Sequence, residues 1–191
     1  QIKNKQLIID ANNMNSLKSH LLISTPHMND DIFCRSVIYI CEHNLEGAFG
    51  LIINKPIDNV SLKYLNSDYK GNIKTKLYFG GPILVEKIMA LHANELNTEP
   101  DIKLNNKISI SSGKEIIRNI EKNINLDYKL FCGYSGWSPG QLEKEIENGD
   151  WLLQTSKIDL LFNLKSEKIW ENATESLGIN IMDISNMSGS T

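Results

Sequence analysis

The sequence predicts a single α+β domain built on a mixed β-sheet. Two β-branched, apolar runs, Val37 to Cys41 and Ala48 to Ile53, flank a polar stretch and read as a hairpin. Ile116, Ile117, Ile120 and Ile124 recur three and four apart, which places them on one face of a helix. Tyr128 to Cys132 reads as a strand that feeds a glycine-rich turn and then a second helix. Strands that come in hairpins as well as around helices do not fit a strictly alternating parallel sheet.

At 191 residues and 41% hydrophobic content, the chain suffices for one core. A domain of this size buries roughly 70% of the surface its unfolded form exposes. Residues 1–13 are polar apart from Leu7-Ile8-Ile9 and read as an extension, with Met14 as the expected start and residues 14–191 as the domain.

The first strand, His20 to Ser24, stops at Thr25-Pro26, because the residue before proline is biased to extended backbone and proline donates nothing to a ladder. Asn29-Asp30-Asp31 offers a turn or cap. The hairpin follows, with Glu42 to Gly47 as a longer connection. Ser61 to Leu65 reads as a short helix, Lys76 to Phe79 as a strand ended by Gly80-Gly81-Pro82, and Met89 to His92 as another short strand. Asn94 to Asn106 lacks periodicity and reads as a surface loop, and Ile108 to Ile110 as a strand leading to the isoleucine-faced helix.

After Gly133-Tyr134-Ser135-Gly136-Trp137, the next helix has Ser138 as N-cap, Pro139 at N1 and Gln141 at N3, and stops at Asn148-Gly149. Trp151 to Thr155 is a strand, and Glu167 to Leu177, capped by Ser166 and ended by Gly178, is the closing helix.

Several function classes are disfavoured. No run approaches the ~20 apolar residues of a membrane span, and the N-terminus has no basic-then-apolar pattern of a secretory signal. Three cysteines, Cys34, Cys41 and Cys132, are a sparse and odd set that reads as reduced thiols, so a cytoplasmic protein is expected. The net charge is −3, and of 20 cations only Arg35 and Arg118 are arginines, which argues against a large nucleic-acid footprint. Lys70, Lys74 and Lys76 read as a solvated loop.

The chemical motifs are fragmentary. Neither the P-loop nor the dinucleotide fingerprint occurs around residues 128–148, although a strand, glycine turn and helix could offer an anion free N–H groups. Ser135 is followed directly by Gly136, whereas a nucleophile elbow needs glycine two places on. Cys41 and His43 share one strand face and Glu42 the other, and no second Cys or His pair completes a zinc set. No metal and no cofactor is expected. His92 reads as a hydrogen-bonded, half-buried histidine, and Trp137 and Trp151 as packed aromatics.

The segment Arg35-Ser36-Val37-Ile38-Tyr39-Ile40-Cys41-Glu42-His43-Asn44, followed by Glu46-Gly47-Ala48-Phe49-Gly50-Leu51-Ile52-Ile53-Asn54-Lys55-Pro56, resembles the YqgE/AlgH family of small bacterial proteins. Phe79-Gly80-Gly81-Pro82, the Gly133–Trp137 stretch with Gly140-Gln141-Leu142-Glu143, and Trp170-Glu171 through Leu177-Gly178-Ile179 agree with it. The resemblance runs from about Met14 to the end. It implies an α+β fold whose sheet is bifurcated and partly barrel-like, flanked by helices, in a cytoplasmic protein. The family has no settled biochemical activity, although one branch carries the name of a transcriptional regulator of exopolysaccharide production.

A non-enzymatic regulatory or binding protein is therefore the first expectation, with a protein partner or small anionic ligand. An enzyme or redox-active protein using Cys41, His43 or His92 with an anion site at the glycine turns is the second, and direct nucleic-acid binding is disfavoured. The two glycine turns would serve one site if their strands are parallel neighbours. The candidate ligand-binding residues are Arg35, His43, Asn54, Gly80, Gly81, Tyr134, Trp137 and Gln141; no catalytic residue is assigned.

Overall fold

The computed structural model describes residues 16–57, 76–94, 99–122, 125–156 and 158–179. The expected extension 1–13, the Ser61–Leu65 helix, Lys70, Lys74 and Ile124 lie outside them. The strands are β1 (His20–Ser24), β2 (Val37–Asn44), β3 (Gly47–Ile52), β4 (Pro56–Ile57), β5 (Leu77–Phe79), β6 (Ile83–Ala93), β7 (Ile102–Lys103), β8 (Ile108–Ser112), β9 (Tyr128–Trp137) and β10 (Trp151–Thr155). The helices are α1 (Lys114–Lys122), α2 (Gln141–Glu147), α3 (Ile158–Phe162) and α4 (Ser166–Ser176).

One sheet runs β10-β1-β2-β3-β9-β6-β8-β7, with the β4/β5 pair attached to β9. It is bifurcated at β9, which pairs with β6, with β5 through Leu77↔Leu130, Tyr78↔Phe131 and Phe79↔Cys132, and with β3 at its C-terminal end. The β5/β9 ladder is parallel and every other described pair antiparallel.

The sheet also curls. On a flat sheet β1 and β8 would lie more than 20 Å apart at about 4.8 Å per strand, yet Leu21 and Ile23 share one buried cluster with Leu91, Ile108 and Ile110. Polar contacts close the same half-barrel: the Asn105 amide donates to Ser19 Oγ and Tyr39 Oη, both at 3.4 Å.

The runs Leu21-Leu22-Ile23, Val37 to Cys41 and Leu51-Ile52-Ile53 are apolar at every position because both faces of these strands are covered. Leu21, Val37, Tyr39 and Leu51 face the barrel interior, capped by Leu161 of α3 and Ile169, Trp170 and Ala173 of α4. Leu22, Ile38, Ile40 and Ile52 face Leu142 and Ile146 of α2 and the paired Trp137 and Trp151. The third cluster packs Ile116, Ile117 and Ile120 of α1 on Ala90, Leu130 and Cys132.

Five sequence expectations change. Glu42 to Gly47 is not a longer loop: β2 continues to Asn44, past a register shift between Ile40 and Glu42, and only Leu45-Glu46 connect it to β3. The Asn44 Oδ1 accepts the Glu46 N–H at 2.8 Å, and Gly47 takes φ +125°, which closes the tight turn. Gly133 to Trp137 is strand rather than turn, since β9 runs through it. Helix α2 starts after Gly140 (φ +72°) rather than at a Ser138 cap; the Gln141 Oε1 still accepts the Ser138 N–H at 3.0 Å, closing a turn ahead of the helix. β6 extends the expected Met89–His92 strand to Ile83–Ala93, and the presumed loop 94–106 contains β7, paired with β8.

Candidate functional site

β6 and β9 do not pair evenly. Ile83 is opposite Tyr134 and the next partners are Ile88 and Cys132, so four residues of β6, Leu84 to Lys87, are set against Gly133 alone. The mismatch is absorbed by left-handed backbone at Leu84 (φ +48°) and Gly133 (φ +68°). It pushes Ile83, Leu84 and Val85 into solvent at 38, 48 and 46% exposure, unusual for three consecutive large apolar side chains.

Across from this bulge is the tip of the β2–β3 hairpin. Between them runs a groove of about 720 Å³, flanked by Glu42, Asn44 and Glu46 on the hairpin and by Ile83, Leu84 and Lys87 on the bulge. Phe49, Met89, Tyr134 and Gly136 also line it, as do Trp137, Ser138 and Pro139. The Phe49 and Tyr134 rings meet edge to face at 5.8 Å. The volume is that of a small-molecule or peptide site.

Of the sequence-predicted residues, Tyr134 and Trp137 line this groove. His43 sits beneath its hairpin wall: Nδ1 accepts the Leu17 N–H at 3.0 Å, so Nε2 carries the proton and donates to Glu143 Oε1 at 2.9 Å. Both ring nitrogens are thereby committed to tying the Leu17 segment and α2 to β2. Gln141 donates to Glu145 Oε1 at 2.8 Å, while Glu145 Oε2 accepts the indole N–H groups of Trp137 at 2.8 Å and Trp151 at 2.9 Å.

Arg35 and Asn54 are at the other end of the hairpin, roughly 25 Å away by strand rise. There Asn54 accepts the Val37 N–H at 2.8 Å and donates to the Arg35 carbonyl at 2.9 Å, and the Arg35 guanidinium stands 5.4 Å from the Trp170 ring centre. Gly80 and Gly81 do adjoin the β9 glycine stretch, as parallel neighbours should. They meet it backbone to backbone: a Cβ on Gly80 would lie 2.3 Å from the Gly133 carbonyl, and one on Gly81 2.3 Å from the Tyr134 carbonyl carbon. Gly80 N–H donates to Cys132 O at 2.9 Å and its carbonyl takes the Ile52 N–H at 3.0 Å, so the contact is filled rather than open.

Groups with displaced titration lie elsewhere. Cys41 is fully buried, and loss of solvent pushes its thiol up, away from the nucleophilic thiolate. His92 donates from Nδ1 to Ala93 O at 2.8 Å and accepts Ser111 Oγ–H at Nε2, 2.9 Å, with burial lowering its pKa. Lys129, 5% exposed, donates to Ile53 O at 3.0 Å and stands over Tyr78; desolvation lowers it to about 8. None of the three lines the groove.

Sequence reasoning missed Phe49, Met89 and the Ile83–Lys87 bulge. No element is expected from sequence between Gly80-Gly81-Pro82 and Met89, and only the count of β6 residues against β9 residues reveals the apolar Ile83-Leu84-Val85 as an exposed bulge.

The family profile described as AlgH-like matches residues 21–182. A UPF0301 protein of Shewanella loihica is 36% identical over 183 residues, covering 92% of this chain and 99% of that protein. A UPF0301 protein of Vibrio cholerae is 35% identical over 185 residues, covering 91% and 98%. Among solved structures, the solution structure of the AlgH protein of Pseudomonas aeruginosa superposes with a TM-score of 0.74 at 30% identity, covering 93% of this chain and 95% of that one. A crystal structure from Corynebacterium diphtheriae gives a TM-score of 0.67 at 25% identity, covering 83% and 85%.

Proposed function

The chain belongs to the AlgH-like family, and from that premise we propose that it is a non-catalytic binding protein of the cytoplasm whose working surface is the groove between the β2–β3 tip and the β6 bulge. One observation carries this. An apolar triplet stands exposed beside an aromatic-lined groove with a charged rim of Glu42, Glu46 and Lys87, the anatomy of a recognition surface.

An enzyme built on Cys41 or His92 would need those groups to reach substrate. Cys41 is sealed and its thiol raised, and His92 spends both nitrogens inside the sheet. A role in transcription, as the regulator branch suggests, would then run through a bound partner. An acidic chain with two arginines is poorly made to neutralise phosphates itself.

The test is titration with 8-anilinonaphthalene-1-sulfonate under native conditions. Saturable binding that Tyr134→Ala weakens, with amide shifts confined to β3, β6 and β9 in NMR spectra, is expected. Turnover of ester, phosphoester or disulfide model substrates that disappears with Cys41→Ser or His92→Gln would overturn the proposal. So would binding that maps outside the groove.

A further inference from the structure

We infer that the groove's ligand is an extended peptide segment with apolar side chains at alternate positions and a Lys or Arg at one end, added as a short strand along Val85–Lys87, beside the groove-lining Leu84. This rests on the binding function proposed above and specifies what is bound. Three features favour it. Leu84 to Lys87 have no register partner on β9, and β8 pairs with β6 only from Met89 onward, so beyond the left-handed Leu84 the strand backbone of Val85 to Lys87 has no ladder neighbour among the described residues. Such backbone recruits another strand, whose main chain supplies affinity and whose alternate side chains supply specificity.

The groove beside that backbone presents Phe49, Tyr134 and Leu84, surfaces suited to every second side chain of an extended segment. The rim is electrostatically uneven. Glu42 and Glu46 stand on the hairpin side against Lys87 on the bulge side, so a cation at one end of the peptide gains two carboxylates. The same carboxylates repel an anionic membrane surface.

The experiment pans a random nonapeptide library on phage against the folded protein and resynthesises the enriched sequences as fluorescent peptides for anisotropy. Expected are alternating apolar sequences ending in Lys or Arg. Replacing that cation by Glu, or changing Glu42→Gln with Glu46→Gln in the protein, should weaken binding about two- to fivefold per lost pair. Leu84→Ser, at an exposed position that lines the groove, should weaken it roughly tenfold or more. N-methylation of alternate peptide amides should abolish it.

Undiminished binding of the N-methylated peptide, enrichment of acidic or helix-patterned sequences, or no enrichment would each overturn the peptide inference. Leu84-dependent binding to phosphatidylglycerol vesicles, or dimerisation lost in Val85→Asp, would overturn it in favour of a lipid surface or a second copy. If the naphthalene probe binds the groove while no peptide does, the groove function stands and this inference falls. If neither binds, both fall.

Discussion

Lys129 offers a quantitative check on the packing of β9 against β5. Its ammonium is held under the sheet by the Ile53 carbonyl and the Tyr78 ring, and desolvation, helped by the nearby Lys76, lowers its pKa from 10.5 to about 8. At about 1.4 kcal/mol per pKa unit, keeping the charge buried costs on the order of 3 kcal/mol. The sign follows from proton counting. Below about 8 the lysine is charged in both folded and unfolded chains, and the full cost is present. Between about 8 and 10.5 the folded chain has lost the proton while the unfolded chain keeps it, so this group's contribution to stability rises with pH.

Lys129→Met removes the group. Urea unfolding of both proteins from pH 7 to pH 10 isolates its contribution, because the remaining titrations largely cancel in the difference. The variant's advantage over the parent should shrink by roughly 2–3 kcal/mol across that range. A difference that stays flat would refute the desolvated site, and with it the close seating of Lys129 against Tyr78.

Three further outcomes are expected. Gly81→Ala should cost roughly 3–5 kcal/mol in urea unfolding, because its Cβ would press on the Tyr134 carbonyl carbon at φ +150°, whereas Gly140→Ala, with nothing within 4 Å, should cost about 1–2 kcal/mol; equal costs would contradict the packed β5/β9 contact. Glu145→Ala should cost roughly 2–5 kcal/mol by stripping the acceptor from two indole N–H groups, and Glu145→Gln should recover most of that; equal losses would show that the shared acceptor contributes nothing. In the native protein a thiol reagent should modify Cys34 promptly and leave Cys41 and Cys132, both buried with raised pKa, until unfolding; fast labelling of a second thiol would contradict their burial.

The elements legible from local pattern were those whose physics is local. β1 ends at the predicted Thr25-Pro26, β10 occupies the predicted Trp151–Thr155, and Ile116, Ile117 and Ile120 share one buried helical face. Asp30 does close a turn, accepting the Ile32 and Phe33 N–H groups at 2.8 and 3.0 Å. β4, β7 and α3 were missed, each being too short to show a period.

The sequence by itself determined the strand cores, the main helix stops and the sparse, unpaired thiols, because side-chain period, proline and glycine chemistry act within a few residues. Tertiary structure decided what the glycines do. Gly133 to Trp137 could be turn or strand locally, since glycine allows both. It becomes strand because β3, more than eighty residues earlier, pairs with Ser135 to Trp137 and Ile83 pairs with Tyr134, while the chain leaving β5 packs so closely that no Cβ fits at Gly80 or Gly133. The β6/β9 ladder, paired at Ile83↔Tyr134 and again at Ile88↔Cys132, leaves β6 with too many residues between the two pairings, and the surplus emerges as the exposed bulge beside the groove. Register is a property of two strands together, so neither strand's own sequence could disclose the site.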